Sequence, residues 1–198
     1  MNAPPQIPLL VHVPGEHVDQ DTARVGGVGS AGTDARLEVL RVALGDPAVR
    51  ARYEAKVHRT PGCWFWAGAL HARGGHGRFW VTATTGSDGT RCDVVVIAHR
   101  FGWAMTYGLD ALTRIEVLAH TCDEPSCQRP DHLRSATPGT NQDEWLIRRW
   151  HPRSPLRDVR GPGGRSRAIR AAILAGGDVN TARAAGISGL DADQLCLW

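Results

Sequence analysis

The chain contains no run of about 18 consecutive apolar residues, the length that a membrane-spanning helix needs. Its first residues do not place a basic segment before a long apolar run, so we expect no secretory signal peptide. Both absences predict a protein of the reducing cytoplasm without a membrane partner. Cysteine is sparse, at five of 198 residues, and in that compartment cysteines bind metal ions more often than they form disulfides.

Lysine is almost missing, because Lys56 is the single lysine among 23 basic residues. The net charge of +3 is small, but eight arginines and one acid, Asp158, fall between positions 145 and 170. Arginine matches the geometry of phosphate groups, and such a run is typical of a tail that contacts a phosphate backbone. A solvated flexible tail has the same composition, and composition alone leaves both interpretations open.

Composition and periodicity divide the chain into four segments. The first is a flexible proline- and glycine-containing arm. The second contains two helices, of which the later one, about 47–58, begins after Asp46-Pro47, a capping acid followed by proline. The third is a central domain, and the fourth is a basic linker with short helices at 168–174, 179–185 and 191–197, which can form a helix-turn-helix or a packing arm. The segments are 1–32, 33–60, 61–151 and 152–198.

The central domain begins with three strand-like stretches, Cys63–Ala67, Gly77–Ala83 and Arg91–Ala98. They are rich in aromatic and β-branched residues and are separated by glycine-rich turns, which predicts a three-stranded antiparallel meander. A helix follows from His99 and ends at Gly108. His99 can be a ligand, but a packing role is the expectation for a histidine in this position.

A second group of elements follows in the order strand, polar loop, strand, helix. The strands are predicted at Ile115–Ala119 and Leu133–Thr137, and the helix at about 141–151, capped by Thr140 and burying Trp145 and Leu146. This order makes a ββα unit. Together with the meander it predicts an α+β fold, flanked by N-terminal helices and a small helical C-terminal segment.

The loop of the ββα unit carries three metal-ligand residues, Cys122, Cys127 and His132, separated by four residues each time. A structural zinc ion takes four Cys or His ligands. We expect Cys63 to supply the fourth, since a turn before its strand can bring its sulfur to the loop. A Cys122–Cys127 disulfide or unrelated buried cysteines are the alternatives. The other candidates for the fourth ligand are Cys92 and Cys196.

Two further residues give this loop chemistry beyond a structural zinc. His120 precedes the ligands without belonging to them, and an imidazole that titrates near neutral pH suits a general base that takes a proton from water. Asn141 begins the following helix, where its amide oxygen can bind Mg²⁺ and the helix dipole favours a phosphate. The pattern predicts metal-assisted phosphodiester hydrolysis.

The order His120-x-Cys122-x4-Cys127-x4-His132-Leu133, followed by Asn141, resembles the signature of the zinc-containing His-Me finger (ββα-metal) endonucleases, the HNH homing-endonuclease group. Upstream, Gly62-Cys63-Trp64-x-Trp66 and Ala98-His99-Arg100 also resemble that group. Where the group has Gly-Tyr-Gly, this chain has Gly75-His76-Gly77. The similarity runs from about Pro61 to Trp145.

The resemblance implies a metal-dependent DNA endonuclease that leaves 5′-phosphate and 3′-hydroxyl ends. His120 would be the general base, Asn141 the Mg²⁺ ligand, and Arg91 an arginine on the scissile phosphate. The structural zinc would be held by Cys63, Cys122, Cys127 and His132. Double-stranded DNA would be the partner, and a homodimer would place two active sites across the duplex.

Exposed arginines around the domain are candidates for DNA contact. A non-catalytic, zinc-stabilised nucleic-acid-binding module and a zinc-stabilised interaction domain explain the cysteine and histidine ligands equally well. Neither explains the additional His120 or the amide at Asn141. The candidate nucleic-acid contacts are Arg73, Arg78, Arg148, Arg149 and Arg153.

Overall fold

The computed structural model describes residues 30–85 and 91–187, in which short antiparallel strand pairs and helices form a mixed α and β fold. The predicted arm lies outside these residues except for its last positions, which already belong to helix α1 (Ser30–Gly45). The predicted helix at 191–197 lies outside them too. Within the described ranges, no helix is both long and apolar enough to cross a membrane.

The second helix is shorter than its sequence predicts. Helix α2 (Pro47–Glu54) begins as expected, because the Asp46 side chain accepts a hydrogen bond of 2.8 Å from the Ala48 N–H. The predicted end near position 58 is wrong, since Val57–Arg59 forms strand β1. Val57–Arg59 instead pairs with Trp64–Trp66, so strand β2 takes up the backbone hydrogen bonds that a further helical turn would have made.

The predicted three-stranded meander is also wrong. Strand β2 (Trp64–Trp66) pairs with β1, whereas β3 (Arg78–Thr85) and β4 (Arg91–Ile97) form a separate hairpin. The other edge of β2 is hydrogen-bonded to the metal-ligand loop, so β3 has no free edge to join. Those contacts run from the Trp66 N–H to the Ser126 carbonyl (2.9 Å) and from the Gln128 N–H to the Trp64 carbonyl (2.6 Å).

The larger core is an aromatic cluster beneath helix α3 (Ala98–Tyr107), which ends at Gly108 as predicted. The ring of Tyr53 lies 5.2 to 5.5 Å from the rings of Trp66, Phe79 and Phe101. Helix α3 approaches this cluster closely at Gly102, where a Cβ would lie 2.2 Å from the Tyr53 hydroxyl. A short helix α4 (Leu109–Thr113), absent from the sequence prediction, follows and buries two leucines in the same core.

Strand β5 (Val117–His120) pairs antiparallel with β6 (Leu133–Ala136), close to the predicted bounds. The following helix α5 (Pro138–Arg148) begins three residues before its predicted start, with Thr137 as its cap in place of Thr140. Proline at the first helical position favours this earlier start.

The prediction that α5 buries Trp145 and Leu146 is wrong, because these side chains are 40% and 42% exposed. Helix α5 instead turns a polar face toward the strands. Glu144 pairs with Arg134 of β6, and Arg148 donates to the His120 carbonyl at 3.3 Å. Ion pairs and hydrogen bonds therefore fix the helix where apolar burial was expected.

Part of the predicted basic linker is helical. Helix α6 (Gly161–Leu174) starts seven residues before the predicted helix at 168, and α7 (Val179–Ala184) follows. Their apolar residues Ile169 and Val179 pack into a second, smaller core around Cys63, Phe65 and Cys127. The two helices therefore belong to the same packed unit as the metal-ligand loop.

Candidate metal centre

Four predicted ligands from three parts of the chain meet in the structure. Cys63 lies immediately before β2, Cys122 and Cys127 lie in the loop after β5, and His132 ends a 3-10 turn, Pro130–His132. One ligand atom from each residue lies within 4.8 Å of all the others. The structure thus brings Cys63 to the three-ligand loop.

The distances within this cluster match the size of a zinc site. His132 Nδ1 lies 3.6 Å from Cys63 Sγ and 3.7 Å from Cys127 Sγ. A tetrahedral ion with Zn–S bonds of about 2.3 Å and Zn–N bonds of about 2.0 Å separates sulfur from nitrogen by about 3.6 Å. The Cys₃His cluster can therefore hold a metal such as zinc.

Electrostatics also favour a cation among the three sulfurs. Hydrogen bonds from the Cys122 and Cys63 thiols lower the pKa of Cys127, and donation to Cys127 raises the pKa of Cys122. Three thiolates this close repel one another, whereas a coordinated metal ion deprotonates its thiol ligands outright. The cluster has the chemistry of a thiolate metal site and not of isolated buried cysteines.

Hydrogen bonds from two side chains to backbone carbonyls position Cys63 beside the loop. Arg129, two residues after Cys127, donates from Nη1 to the carbonyls of Pro61 and Gly62, both at 2.8 Å. The Thr60 hydroxyl donates to the Cys63 carbonyl at 2.6 Å. These contacts hold the turn before β2 against the loop without help from the sulfur atoms.

A buried ionic network fastens α6 and α7 to the same loop. Arg165 of α6 makes a bidentate contact with Glu124, with Nε–Oε2 and Nη2–Oε1 distances of 2.8 and 2.6 Å. Arg165 also contacts Asp158 at 3.0 Å, and Arg183 of α7 contacts Glu124 at 3.0 Å. The side chains of Arg165, Glu124 and Asp158 are all at most 2% exposed. Part of the basic run is therefore internal.

His120 stands at the end of β5, next to the ligand cluster. Its Nε2 donates to the Cys127 carbonyl at 3.0 Å, so Nδ1 is left with the lone pair. Burial lowers the pKa of His120, which keeps the ring neutral near pH 7. A neutral imidazole with a fixed tautomer and one unprotonated nitrogen can accept a proton.

Two more histidines surround His120. Its ring centre lies 4.6 Å from that of His99 and 5.7 Å from that of His76. Burial lowers the pKa of both neighbours, to about 4 for His76, so all three rings are neutral together. His99 is buried, as the expected packing role requires, but its Nδ1 has no hydrogen-bond partner.

Asn141 lies in the first turn of α5, where its backbone N–H donates to the Thr137 carbonyl at 3.0 Å. Its side chain is half-buried and makes no hydrogen bond to the part of the chain that the structure describes. Arg91 is the first residue of β4, and its side chain lies outside the described residues.

The predicted DNA-contact arginines fall into two groups. Arg148 is bound internally, because its Nε lies 3.0 Å from Asp123 and its Nη1 lies 2.9 Å from Glu144. Arg73 and Arg153 are exposed to solvent.

The remaining two arginines lie over tryptophan rings. Arg149 lies 4.5 Å from the ring centre of Trp145 and 5.3 Å from that of Trp150, and both rings are exposed. Arg78 lies 5.2 Å from the ring centre of Trp80, which is 39% exposed. These pairs are planar cationic surfaces of the kind that stack on bases and contact phosphates.

Sequence reasoning missed Glu124 and Arg165. An acid inside a polar loop and an arginine inside a basic run both resemble solvated residues. The 41 positions between them leave no local spacing signal. It also missed the grouping of His76 with His120, which a glycine-flanked histidine in a turn does not reveal.

No protein-family model matches this chain, and no solved structure matches it. It is similar to Protein 2.8 of Escherichia phage T7, with 31% identity over 87 residues. The match covers 44% of this chain and 51% of the phage protein, so the chain spans about half the length of the relative it matches.

Proposed function

We propose that this chain is a metal-dependent DNA endonuclease. The observation that carries the proposal is the state of His120, a neutral imidazole fixed through Nε2 at the edge of the Cys₃His centre. A structural zinc site alone gives no reason for a histidine held in this way outside the ligand set. Asn141, an amide without a hydrogen-bond partner among the described residues, lies in the first turn of the helix that follows.

In the proposed reaction His120 is the general base. Its Nδ1 accepts a proton from water while the water oxygen forms a bond to phosphorus. The bond from phosphorus to the 3′ oxygen breaks, and this oxygen leaves with the electron pair and takes a proton from solvent. The products are a 5′-phosphate and a 3′-hydroxyl.

Asn141 fits the role of a Mg²⁺ ligand, because an amide oxygen is a hard donor and this side chain has no other described partner. When bound, Mg²⁺ would supply charge stabilisation for the phosphoryl group and the leaving oxygen. Arg91 would neutralise charge on the same phosphate. The Cys₃His zinc would be structural, because four protein ligands leave no open position.

Two exposed cation–aromatic surfaces support DNA as the substrate. They are formed by Arg149 with Trp145 and Trp150, and by Arg78 with Trp80. Arg73 and Arg153 add exposed positive charge. A monomer with one such site would nick one strand, and a two-fold homodimer would cut both strands.

The same tryptophan and arginine surfaces favour one alternative, a DNA-binding module without catalysis. They account for binding through stacking and charge, and they make no use of the His120 lone pair. The two functions share a surface and differ only in whether a phosphodiester bond breaks.

Supercoiled plasmid, incubated with zinc-loaded protein and Mg²⁺, distinguishes them. The wild type is expected to nick or linearise the plasmid. His120→Ala is expected to lower the cleavage rate at least about 100-fold, the range for loss of a general base, and Asn141→Ala to lower it by a similar factor through loss of the Mg²⁺ ligand. His58→Ala, on exposed β1, is the matched control and should cut normally. Binding of DNA and zinc by the wild type without cleavage under any of these conditions would establish the module.

A further inference from the structure

Three histidines from separate elements meet at one point outside the Cys₃His cluster. His76 lies in the turn before β3, His99 in the first turn of α3, and His120 at the end of β5. One ring nitrogen of each lies within 4.8 Å of the other two. The ring centres are 4.6 to 5.7 Å apart, so no other side chain separates them.

Backbone carbonyls fix two of these rings in a single tautomer. His76 Nδ1 lies 3.0 Å from the Pro125 carbonyl, and His120 Nε2 lies 3.0 Å from the Cys127 carbonyl. A carbonyl can only accept a hydrogen bond, so both nitrogens carry a proton. The opposite nitrogens, His76 Nε2 and His120 Nδ1, then carry lone pairs. Histidines that bind metal ions are almost always held by their other nitrogen in this way.

The third ring, that of His99, has a buried nitrogen without a hydrogen-bond partner. His99 is 4% exposed, and its Nδ1 makes no hydrogen bond. A buried polar nitrogen without a partner is costly, and such an atom in a native structure calls for a ligand. The ring centres of His76 and His120 lie 5.4 and 4.6 Å from that of His99, and each of these two rings has one nitrogen that carries a lone pair.

We propose that His76, His99 and His120 form a second metal site for a divalent transition ion of borderline softness, such as Zn²⁺, Co²⁺ or Ni²⁺. Three neutral imidazoles suit these ions, whereas Mg²⁺ and Ca²⁺ require oxygen ligands. Three protein ligands leave a tetrahedral ion one position for solvent or another ligand. The site shares no ligand with the Cys₃His cluster and touches it only through the Cys127 carbonyl.

The inference does not depend on nuclease activity. One consequence does rest on the proposed function: the ion would use the His120 lone pair that hydrolysis needs. Filling the three-histidine site is therefore expected to inhibit Mg²⁺-dependent cleavage, and metal binding and cleavage can be measured separately.

The test is a Co²⁺ titration of the full chain after it has been loaded with one zinc per molecule. A second ion is expected to bind with visible d–d absorption but without the sulfur-to-metal charge-transfer band that a thiolate site gives. The ring nitrogen signals of His76, His99 and His120 should shift in ¹⁵N NMR spectra as the ion binds.

His76→Asn is the informative variant, because the asparagine amide nitrogen takes the place of Nδ1 and can still donate to the Pro125 carbonyl while the Nε2 ligand is lost. Its Co²⁺ affinity is expected to fall more than about 10-fold, since even loss of an outer-shell partner costs that much. His58→Asn, which changes an exposed histidine of β1, should bind as the wild type does. Absence of a second ion, a charge-transfer band with the second ion, or unchanged affinity in His76→Asn would each overturn the proposal.

Discussion

Among the single residues, Glu124 shows that a charged side chain of the metal-ligand loop can be buried and structural. It lies between two metal ligands in sequence, yet its side chain is completely buried and is bound by two arginines of the C-terminal helices. A buried ion pair adds little net stability when complete, but removal of one partner leaves an uncompensated charge. The residue therefore links the loop to α6 and α7.

Glu124→Gln is expected to lower the free energy of unfolding by about 3 kcal/mol, the lower end of the range for a broken buried pair, because Arg165 loses its bidentate partner but keeps Asp158 as a countercharge. Glu144→Gln is the matched control. Its carboxylate is 36% exposed in its pairs with Arg134 and Arg148, so it should cost less than about 1 kcal/mol. Urea denaturation of the zinc-loaded proteins measures both. Equal losses would show that the buried network does not hold the C-terminal helices.

The role of Cys63 as a ligand from outside the loop has its own test. Cys63→Ser is expected to weaken zinc binding by more than about 100-fold, because loss of an outer-shell partner alone costs about 10–100-fold. Cys92→Ser should bind zinc as the wild type does, since Cys63, Cys122, Cys127 and His132 already supply four ligands. Competition with a chromogenic chelator gives both affinities. The assignment fails if the two variants behave alike.

At the scale of elements, the close approach of α6 to the loop before β3 explains two glycines. A Cβ on Gly163 of α6 would lie 2.1 Å from the Ala72 carbonyl oxygen, and one on Gly75 would lie 2.5 Å from the Pro162 carbonyl oxygen. Both contacts are with backbone atoms, which cannot rotate away. Gly75 also has a positive φ of 72°, which side chains rarely adopt.

Gly163→Ala is therefore expected to lower the free energy of unfolding by about 1–3 kcal/mol, the range for overpacking. Gly139→Ala, in α5, should have the opposite sign and stabilise by up to about 1 kcal/mol, because alanine is the better helix former and its Cβ would make only an ordinary contact of 3.9 Å with the Thr137 hydroxyl oxygen. Thermal unfolding followed by circular dichroism compares them. If Gly163→Ala leaves the stability unchanged, α6 does not approach this loop as closely as the structure indicates.

Local signals made some elements predictable and others not. The regular ligand spacing after Cys122 and the alternation in β5 and β6 gave the right order, because both are short-range patterns. The partner of β2 was missed, because three-residue strands carry no register information and the competing edge belongs to the distant Ser126 to Gln128 segment. The Thr137-Pro138 pair was a usable signal for the start of α5, since proline prefers the first helical position.

Across the molecule, the four metal ligands are unevenly divided between the two hydrophobic cores. The smaller core contains Cys63 and Cys127 together with Phe65, Ile169 and Val179, whereas the aromatic core beneath α3 contains none of the four ligands. Metal binding energy is folding energy for the part of a protein that the ligands hold together. A metal ion bound by the four ligands would therefore stabilise the C-terminal helices as well as the loop.

Removal of zinc by a chelator at neutral pH is expected to accelerate amide hydrogen exchange in 122–132, α6 and α7 before it does so in α3. Exchange followed by mass spectrometry, with the zinc-loaded protein as control, gives the order. Simultaneous exposure of α3 would show that the two cores unfold as one unit.

The sequence predicted the Cys₃His cluster, because three of its ligands follow one another at short fixed spacings and Cys63 stands at the start of a strand-like stretch. It did not predict which arginines face solvent, because Arg165 and Arg148 resemble Arg153 until their acidic partners are known. The candidate DNA surface is consequently smaller than the basic run suggests, and rests on the arginines that lie over tryptophan rings.

The most direct test of the proposed hydrolysis is to sequence and chemically define the DNA ends that the zinc-loaded protein produces with Mg²⁺ from a mixed-sequence duplex library. The proposal predicts new ends carrying a 5′-phosphate and a 3′-hydroxyl, ligatable without prior treatment, from the wild type and from His58→Ala but not from His120→Ala. Ends of another chemistry, equal yields from His120→Ala, or bound but intact DNA would contradict it.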